Sequence, residues 1–128
     1  MKKFILLIIL SLFFSSPSWC EWTFIDENLR GEHIYIDFST LIKEENNSEH
    51  ILTVWVVSNY NESPDGPGSL VGEIKINCKE GKFKILSTNR FSKKFGKGDL
   101  IKTYQEGKWY PYGTGEVMDT LSVKACNY

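Results

Sequence analysis

Two cysteines, Cys78 and Cys126, lie 48 positions apart in the part of the chain that follows an N-terminal leader. Because the leader directs the chain out of the cytoplasm, we expect the two thiols to oxidise and pair; the alternative is two buried free thiols. In the chain-entropy model, a crosslink over a loop of about 50 residues contributes roughly 4 kcal/mol. That is comparable with the whole stability margin of a small domain. The bond would tie a strand in the middle of the chain to its last residues.

Residues 1–20 have the three parts of a secretory signal peptide. Lys2 and Lys3 form the charged start, Phe4–Phe14 is an apolar run broken by Ser11, and small polar residues follow. This apolar run is shorter than the roughly 20 residues that span a bilayer, and no second run follows it. We therefore expect the mature protein not to span the membrane.

The sequence leaves three ways to process Cys20. Ser18 and Cys20 are small residues at the −3 and −1 positions of a cut before Glu21, which is the favoured site. A cut after Ser18 would retain Cys20 as a free thiol. Lipidation of Cys20 comes third, because Trp19 is large where that processing prefers a small residue.

Residues 21–128 form a single predicted domain, since 108 residues is close to the commonest domain size. The leader carries two lysines and no acid, so 13 basic and 16 acidic residues remain, a net charge of −3. A mature chain of this charge has no global basic field, and we expect no nucleic-acid partner. Nothing in the sequence specifies an oligomeric state.

Most of the mature chain alternates between apolar and polar residues, which is the pattern of β-strands. The longest predicted strand, Ile51–Tyr60, is apolar on both faces and is therefore expected to be central. Cys78 shares the apolar face of its strand with Ile74 and Ile76, whereas Leu86 breaks the alternation of the next one. The six predicted strands lie around Trp22–Phe24, Ile34–Phe38, Ile51–Tyr60, Ile74–Cys78, Phe83–Ile85 and Leu100–Tyr104.

The last residues are predicted to form a short helix. Val117, Leu121 and Ala125 recur at i, i+4 and i+8, which makes one apolar stripe, and Thr114 is a candidate N-cap. A single apolar stripe has to be buried, and the sheet is the element available to bury it. The prediction is an α+β fold, with an antiparallel sheet of about six strands and a C-terminal helix that the disulfide holds on one face.

The mature chain resembles the surface-adhesin protein E-like family of exported bacterial proteins. The resemblance covers nearly all of residues 21–128. It is carried by Glu21-Trp22, Tyr35-Ile36-Asp37 with Ser39, Val54-Trp55-Val56, Tyr60, Ser69, Cys78, Ile85-Leu86, Trp109 with Pro111, and Cys126. It implies a curved antiparallel sheet with a disulfide-held C-terminal helix, an envelope or surface location, and contact with host matrix proteins. It implies no catalytic motif.

The residues themselves predict no catalytic, cofactor or metal site. His33 and His50 have no nucleophile motif beside them, and neither has the spacing to join the cysteines as a zinc ligand. Gly96-Lys97 lacks the remaining residues of a phosphate-binding loop. We therefore expect a protein that is not an enzyme and needs no cofactor.

One cluster stands out as a candidate surface for a partner. Four basic residues, Arg90, Lys93, Lys94 and Lys97, surround the aromatic residues Phe91 and Phe95 in a glycine-containing loop. On an acidic chain, such a loop is a candidate docking site for an anionic partner, and its alternative interpretation is a solvated hairpin loop. Tyr110 and Tyr112 flank Pro111 in a predicted loop and are candidate contact residues too, whereas Trp55 and Trp109 are expected in the core.

The sequence predicts an exported, non-enzymatic envelope or surface protein that acts by protein or glycan contact. The expected partner is a host extracellular-matrix protein or an anionic glycan. The expected location is the periplasm, the outer surface or the medium. The alternative is a periplasmic inhibitor or stress-response protein that acts on another enzyme.

Overall fold

The computed structural model describes residues 21–44, 50–61, 66–113 and 116–128. The predicted leader and the candidate N-cap Thr114 lie outside the described residues. Seven strands and one helix are present in that part of the chain. The strands are β1 (Trp22–Glu27), β2 (His33–Lys43), β3 (Ile51–Tyr60), β4 (Gly68–Asn77), β5 (Lys82–Phe91), β6 (Leu100–Gln105) and β7 (Trp109–Pro111), and the helix is α1 (Val117–Cys126).

The strands form one antiparallel sheet in which each strand pairs with the next along the chain, in the order β1-β2-β3-β4-β5-β6. The short strand β7 also pairs with β5, so β6 and β7 share its outer edge. β6 lies against Ser87–Phe91, and β7 lies against Lys82–Lys84. This simple meander agrees with the alternating pattern in the sequence, because neighbouring strands need only short connections.

The helix packs on one face of the sheet, which we call the helix face, and its apolar stripe enters the core there. Ile36, Val54 and Ile76 on adjacent strands are fully buried against Leu121 and Ala125 of α1, and all five side chains have 0% exposure. This is the predicted helical stripe in the predicted position. Glu116 is the N-cap residue of α1, but its side chain makes no capping hydrogen bond.

The predicted disulfide joins Cys78, which directly follows β4, to Cys126, the last residue of α1. The Cα atoms of the two cysteines are 5.9 Å apart, within the normal range for a disulfide. Asn77 is buried beside Cys78, and its side-chain oxygen accepts a hydrogen bond from the backbone N–H of Glu80 (3.0 Å). The turn that positions Cys78 is therefore held independently of the disulfide.

Two irregularities in the sheet have local causes. Where Leu86 breaks the alternation of β5, the pairing with β4 passes from Glu73–Ser87 to Ile74–Ile85 and leaves Leu86 as an extra, bulged residue. In β2, the pairing with β3 shifts between Asp37 and Ile42. There Thr40 bridges the gap, since its hydroxyl donates to the Asp37 carbonyl (2.7 Å) and accepts from the backbone N–H of Trp55 (3.0 Å).

Two predicted elements were wrong in extent. The strand predicted around Ile74–Cys78 begins earlier, because Gly68 and Ser69 belong to β4 and pair with Tyr60 and Asn59. The predicted loop around Pro111 is strand β7. Proline is accommodated in β7 because β7 pairs on one side with β5 and lies at the edge of the sheet.

Removing both cysteines should destabilise the protein without changing its fold. The double variant Cys78→Ala/Cys126→Ala loses the crosslink between sheet and helix, and we expect its free energy of unfolding to fall by roughly 2–5 kcal/mol. Urea unfolding of the oxidised wild type and of the variant measures the difference. Equal midpoints, or two thiols that react freely in the native exported protein, would contradict the assignment.

Candidate functional site

The basic loop folds back over the sheet on the face opposite the helix, which we call the loop face. Residues 92–98, named here the lysine loop, make a tight turn at Lys94–Gly96, where the backbone of Phe95 is not in the right-handed helical conformation. The loop is closed by backbone hydrogen bonds from Ser92 to the Asp99 carbonyl (3.0 Å) and from Lys93 to the Lys97 carbonyl (3.1 Å). The loop packs against β3 and β4, and Val57 of β3 is fully buried on this face, which the helix does not touch.

Two buried polar residues of the sheet fix the lysine loop. The hydroxyl of Ser69, at 0% exposure, donates to the Lys93 carbonyl (2.7 Å) and accepts from the backbone N–H of Gly96 (2.9 Å). The side-chain oxygen of Asn59 accepts from the backbone N–H of Phe95 (2.9 Å). These bonds satisfy loop groups that would otherwise be buried without partners, so the loop has one favoured position on the sheet.

The central residues of the lysine loop have left-handed backbone conformations. Phe95 has φ = 59°, which costs a non-glycine residue about 1–2 kcal/mol, and its ring packs edge-on against Tyr35 at 4.9 Å between centroids. Gly96 has φ = 68°, and a Cβ there would lie 2.9 Å from Val71 Cγ2. Position 96 therefore requires glycine, and the half-buried Phe95 anchors the loop instead of projecting from it.

This arrangement leaves Lys93, Lys94 and Lys97 exposed at the loop surface. Among the described residues, no carboxylate lies within ion-pair distance of the ammonium groups of these three lysines. The lysine loop thus presents three positive charges from a backbone that the sheet holds in place. Chemically, the surface can pair with carboxylate, sulfate or phosphate groups.

Arg90 does not belong to this surface. It is two residues from Ser92, but Arg90 and Phe91 point to opposite faces of the sheet because side chains alternate along β5. Phe91 lies under Gly96 on the loop face. Arg90 lies on the helix face, where its Nε donates to the hydroxyl of Tyr60 (3.1 Å). The prediction that Arg90 shares one surface with Lys93, Lys94 and Lys97 is therefore wrong.

Tyr110 and Tyr112 are also separate from the lysine loop. Tyr110 lies in β7 opposite Phe83, and its hydroxyl donates to Glu106 (2.6 Å). This hydrogen bond is the main cause that raises the pKa of the phenol, followed by burial and then by the charge of Glu106. Tyr112 is half-buried against the core, and burial and the nearby Asp119 carboxylate raise its pKa. Both phenols therefore stay neutral well into alkaline pH, and we find no geometry that joins them to the lysines.

A second basic and aromatic group lies at the β7 end of the loop face. The ammonium groups of Lys82 and Lys84 lie 5.1 Å and 4.7 Å from the ring centroid of Trp109. Trp109 is half-buried, so the expectation of a core tryptophan was wrong, as it was for the half-buried Trp55. The signal lies in the register, since Trp109 of β7 is the pairing partner of Lys84, and Lys82 lies two residues away on the same face of β5.

The other polar residues form no recognisable reactive centre. His33 is exposed and lies 3.7 Å from Glu27, and His50 is exposed as well. Cys78 and Cys126 are tied in the disulfide. Among the described residues, no three of His, Cys, Asp and Glu are grouped so that they could hold a metal ion, and no helix there is long and apolar enough to cross a bilayer.

A single antiparallel sheet with one disulfide-tethered helix on one face and a fixed basic loop on the other makes this chain a small α+β domain. The chain belongs to the surface-adhesin protein E family, whose model matches residues 22–127. The proteins of this family are surface or exported proteins. A search of curated proteins found no match.

Solved structures of Haemophilus influenzae protein E have the same fold at low sequence identity. Its crystal form II has a TM-score of 0.66 and 14% identity, with 87% of this chain and 91% of that chain covered. A second protein E structure has a TM-score of 0.63 and 13% identity, with 87% of each chain covered. Protein E from non-typeable H. influenzae has a TM-score of 0.59 and 13% identity, with 89% of this chain and 80% of that one covered.

The anchoring role of Ser69 can be tested separately from binding. In Ser69→Ala the Lys93 carbonyl and the Gly96 N–H lose their partner, and we expect stability to fall by about 1–3 kcal/mol. Hydrogen exchange at the Gly96 amide should accelerate more than exchange in β2. Ser87→Ala, on the same face but outside the loop, is the control. If Gly96 exchanges at the wild-type rate, Ser69 does not hold the loop.

Proposed function

We propose that this protein is a non-enzymatic adhesin, and that its lysine loop binds an anionic partner. The partner class is an acidic segment of a host extracellular-matrix protein or a sulfated glycan. The observation that carries the proposal is the fixed presentation of Lys93, Lys94 and Lys97, whose backbone is anchored to Ser69 and Asn59. Membership of a surface-adhesin family supports the same class of function.

The physical advantage of the fixed loop is entropic. A free loop loses conformational entropy when a partner orders it, and this loss is subtracted from the affinity. Here that cost is met during folding, by the hydrogen bonds of the loop and the packing of Phe95 on Tyr35. Only the lysine side chains remain to be ordered. Three unpaired ammonium groups also increase the association rate with an anionic partner by electrostatic attraction.

Replacing the three lysines should weaken binding mainly through slower association. The variant Lys93→Gln/Lys94→Gln/Lys97→Gln keeps the loop backbone, and we expect stability to change by no more than about 0.5 kcal/mol. Binding of the wild type should weaken as salt rises, since exposed charges are screened beyond about 8–10 Å at physiological ionic strength. The salt dependence should be smaller for the variant. The measurement is the association rate on immobilised matrix proteins and sulfated glycans across a salt series.

A matched control separates local charge from net charge. Lys79→Gln/Lys108→Gln/Lys124→Gln removes the same three charges from exposed positions outside the lysine loop. We expect it to bind almost as the wild type does. Equal losses of binding in both triple variants would assign the effect to net charge. Binding that does not depend on salt would contradict the proposal, and the lysine loop would then be a solvated turn.

The proposed location is the outer surface of the cell, because an adhesin has to meet its partner there. Protease added to intact cells should then degrade the protein, whereas a periplasmic marker should survive. The same treatment after permeabilisation degrades both and provides the control. Full protection on intact cells would overturn the surface location and favour the alternative of a periplasmic protein that acts on another enzyme.

A further inference from the structure

The helix face carries an open groove that the lysine loop does not share. Its volume is about 730 Å³, and it lies beside the first turn of α1, over the middle strands of the sheet. The floor is largely apolar and includes Ile74, Leu70 and Ile85, of which the last two are half-buried. Val117 and Met118 of α1 form part of one wall.

The groove exists because one helix is too narrow for this sheet. Six strands spaced about 4.8 Å apart span roughly 24 Å, whereas a helix with its side chains is about 10–12 Å wide. α1 lies mainly over β1 and β2, and its last turn reaches the end of β4 at the disulfide. The part of the helix face beside the first turn of α1, at Leu70, Gly72 and Thr88, is left with room for a second helix, which would complete the layer that buries an apolar sheet face.

The rim of the groove is acidic. Asp26, Glu27 and Glu32 come from the end of β1 and the turn that follows, and Glu116 comes from the start of α1. Arg30 is the single basic residue among the described residues that line the groove. Within the described part of the chain, none of these four carboxylates forms an ion pair with a lysine or an arginine; Glu27 approaches only His33, at 3.7 Å.

We propose that this groove binds a cationic amphipathic helix from a partner chain, with its apolar side on the floor and its basic side on the acidic rim. An apolar floor with charges at its edge is the arrangement by which proteins bind amphipathic helices, and the sign of the rim selects a basic one. The half-buried Met118 is suited to this role, because an unbranched thioether side chain adapts to different apolar neighbours. The proposal is independent of the lysine loop, which lies on the other face and selects the opposite charge.

Gly72 offers a direct way to block the groove. It lies on the floor between Val56 and Thr88 in the register of the sheet, and its φ is not left-handed. An added Cβ would meet the Ser87 carbonyl oxygen at 3.4 Å and Thr88 Oγ1 at 3.6 Å. Valine is therefore compatible with the strand, and its two methyl groups would occupy the floor. Gly107→Val is the matched control, because Gly107 has no neighbouring atom within 4 Å and lies outside the groove.

The probe is a labelled peptide of about 14 residues, roughly 21 Å as a helix, with leucine at helical spacing and lysine elsewhere. Fluorescence anisotropy measures its affinity for the disulfide-bonded protein. We expect a peptide with glutamate in place of lysine to bind at least about tenfold more weakly. Gly72→Val should lower the affinity for the lysine peptide at least about tenfold, and Gly107→Val should leave it unchanged. Glu27→Gln/Glu116→Gln should lower it about three- to tenfold and reduce its salt dependence.

Two further measurements decide the outcome, together with the Glu27→Gln/Glu116→Gln variant, which tests the groove without changing its floor. Thermal melting shows whether Gly72→Val is folded. Amide shifts on titration with the lysine peptide should cluster at Gly72, Thr88 and Met118. Equal binding of the lysine and glutamate peptides, unchanged affinity in folded Gly72→Val, or shifts confined to the loop face would overturn the proposal. Self-association of the protein that Gly72→Val abolishes would also overturn it, since the groove would then hold a second copy.

The lysine-loop triple variant separates this proposal from the proposed function. Lys93→Gln/Lys94→Gln/Lys97→Gln should bind the lysine peptide as the wild type does, and Gly72→Val should bind sulfated glycans as the wild type does. Loss of peptide binding in the lysine-loop variant would place the peptide on the loop face and overturn the groove proposal. If the wild type binds the lysine peptide but no sulfated glycan or matrix protein, the proposed function of the lysine loop is wrong and the groove proposal stands.

Discussion

The disulfide between Cys78 and Cys126 is the constraint on which the stability of the packing between sheet and helix depends. A ten-residue helix has little stability of its own, and its apolar stripe gains free energy only when the sheet covers it. The bond fixes the end of α1 beside the end of β4, so Leu121 and Ala125 are held over the core strands. It also joins residues that are far apart in the sequence, which restricts the unfolded chain and stabilises the folded one.

The two faces of the sheet are completed in different ways. The helix face is covered by an apolar stripe, and the burial of Ile36, Val54 and Ile76 supplies much of its stability. The loop face is covered by the lysine loop, whose backbone is held by hydrogen bonds to buried Ser69 and Asn59. A loop held in this way can expose lysines, because its outer surface does not have to be buried against the protein.

The sequence predicted the elements of the fold better than it predicted the site, and the residues show why. Strand and helix patterns are local, so Ile51–Tyr60 and the stripe of α1 were found directly, and the break at Leu86 marked a true bulge. The lysine loop was located too. Its grouping with Arg90 failed because proximity in sequence does not specify the face of a strand, and a single alternation separates Arg90 from Phe91.

The anchors of the loop could not be predicted because their partners are distant in the chain. Ser69 lies 27 positions from Gly96, and Asn59 lies 36 positions from Phe95. Ser69 does occur among the residues that carry the family resemblance, and the structure gives it a physical role that a pattern of residues alone does not supply. The groove beside α1 is likewise a property of the assembled sheet, since it results from the widths of six strands and one helix.

The arrangement of charge follows from this architecture. The exposed lysines are concentrated where a loop crosses one face, and unpaired acids are concentrated where the β1–β2 turn and the start of α1 border the other. The net charge of −3 over residues 21–128 therefore conceals two surfaces of opposite sign on a small domain. Because the sheet itself lies between them, a partner on one face is shielded from the charges of the other. The two surfaces can then select partners of opposite charge without competing for them.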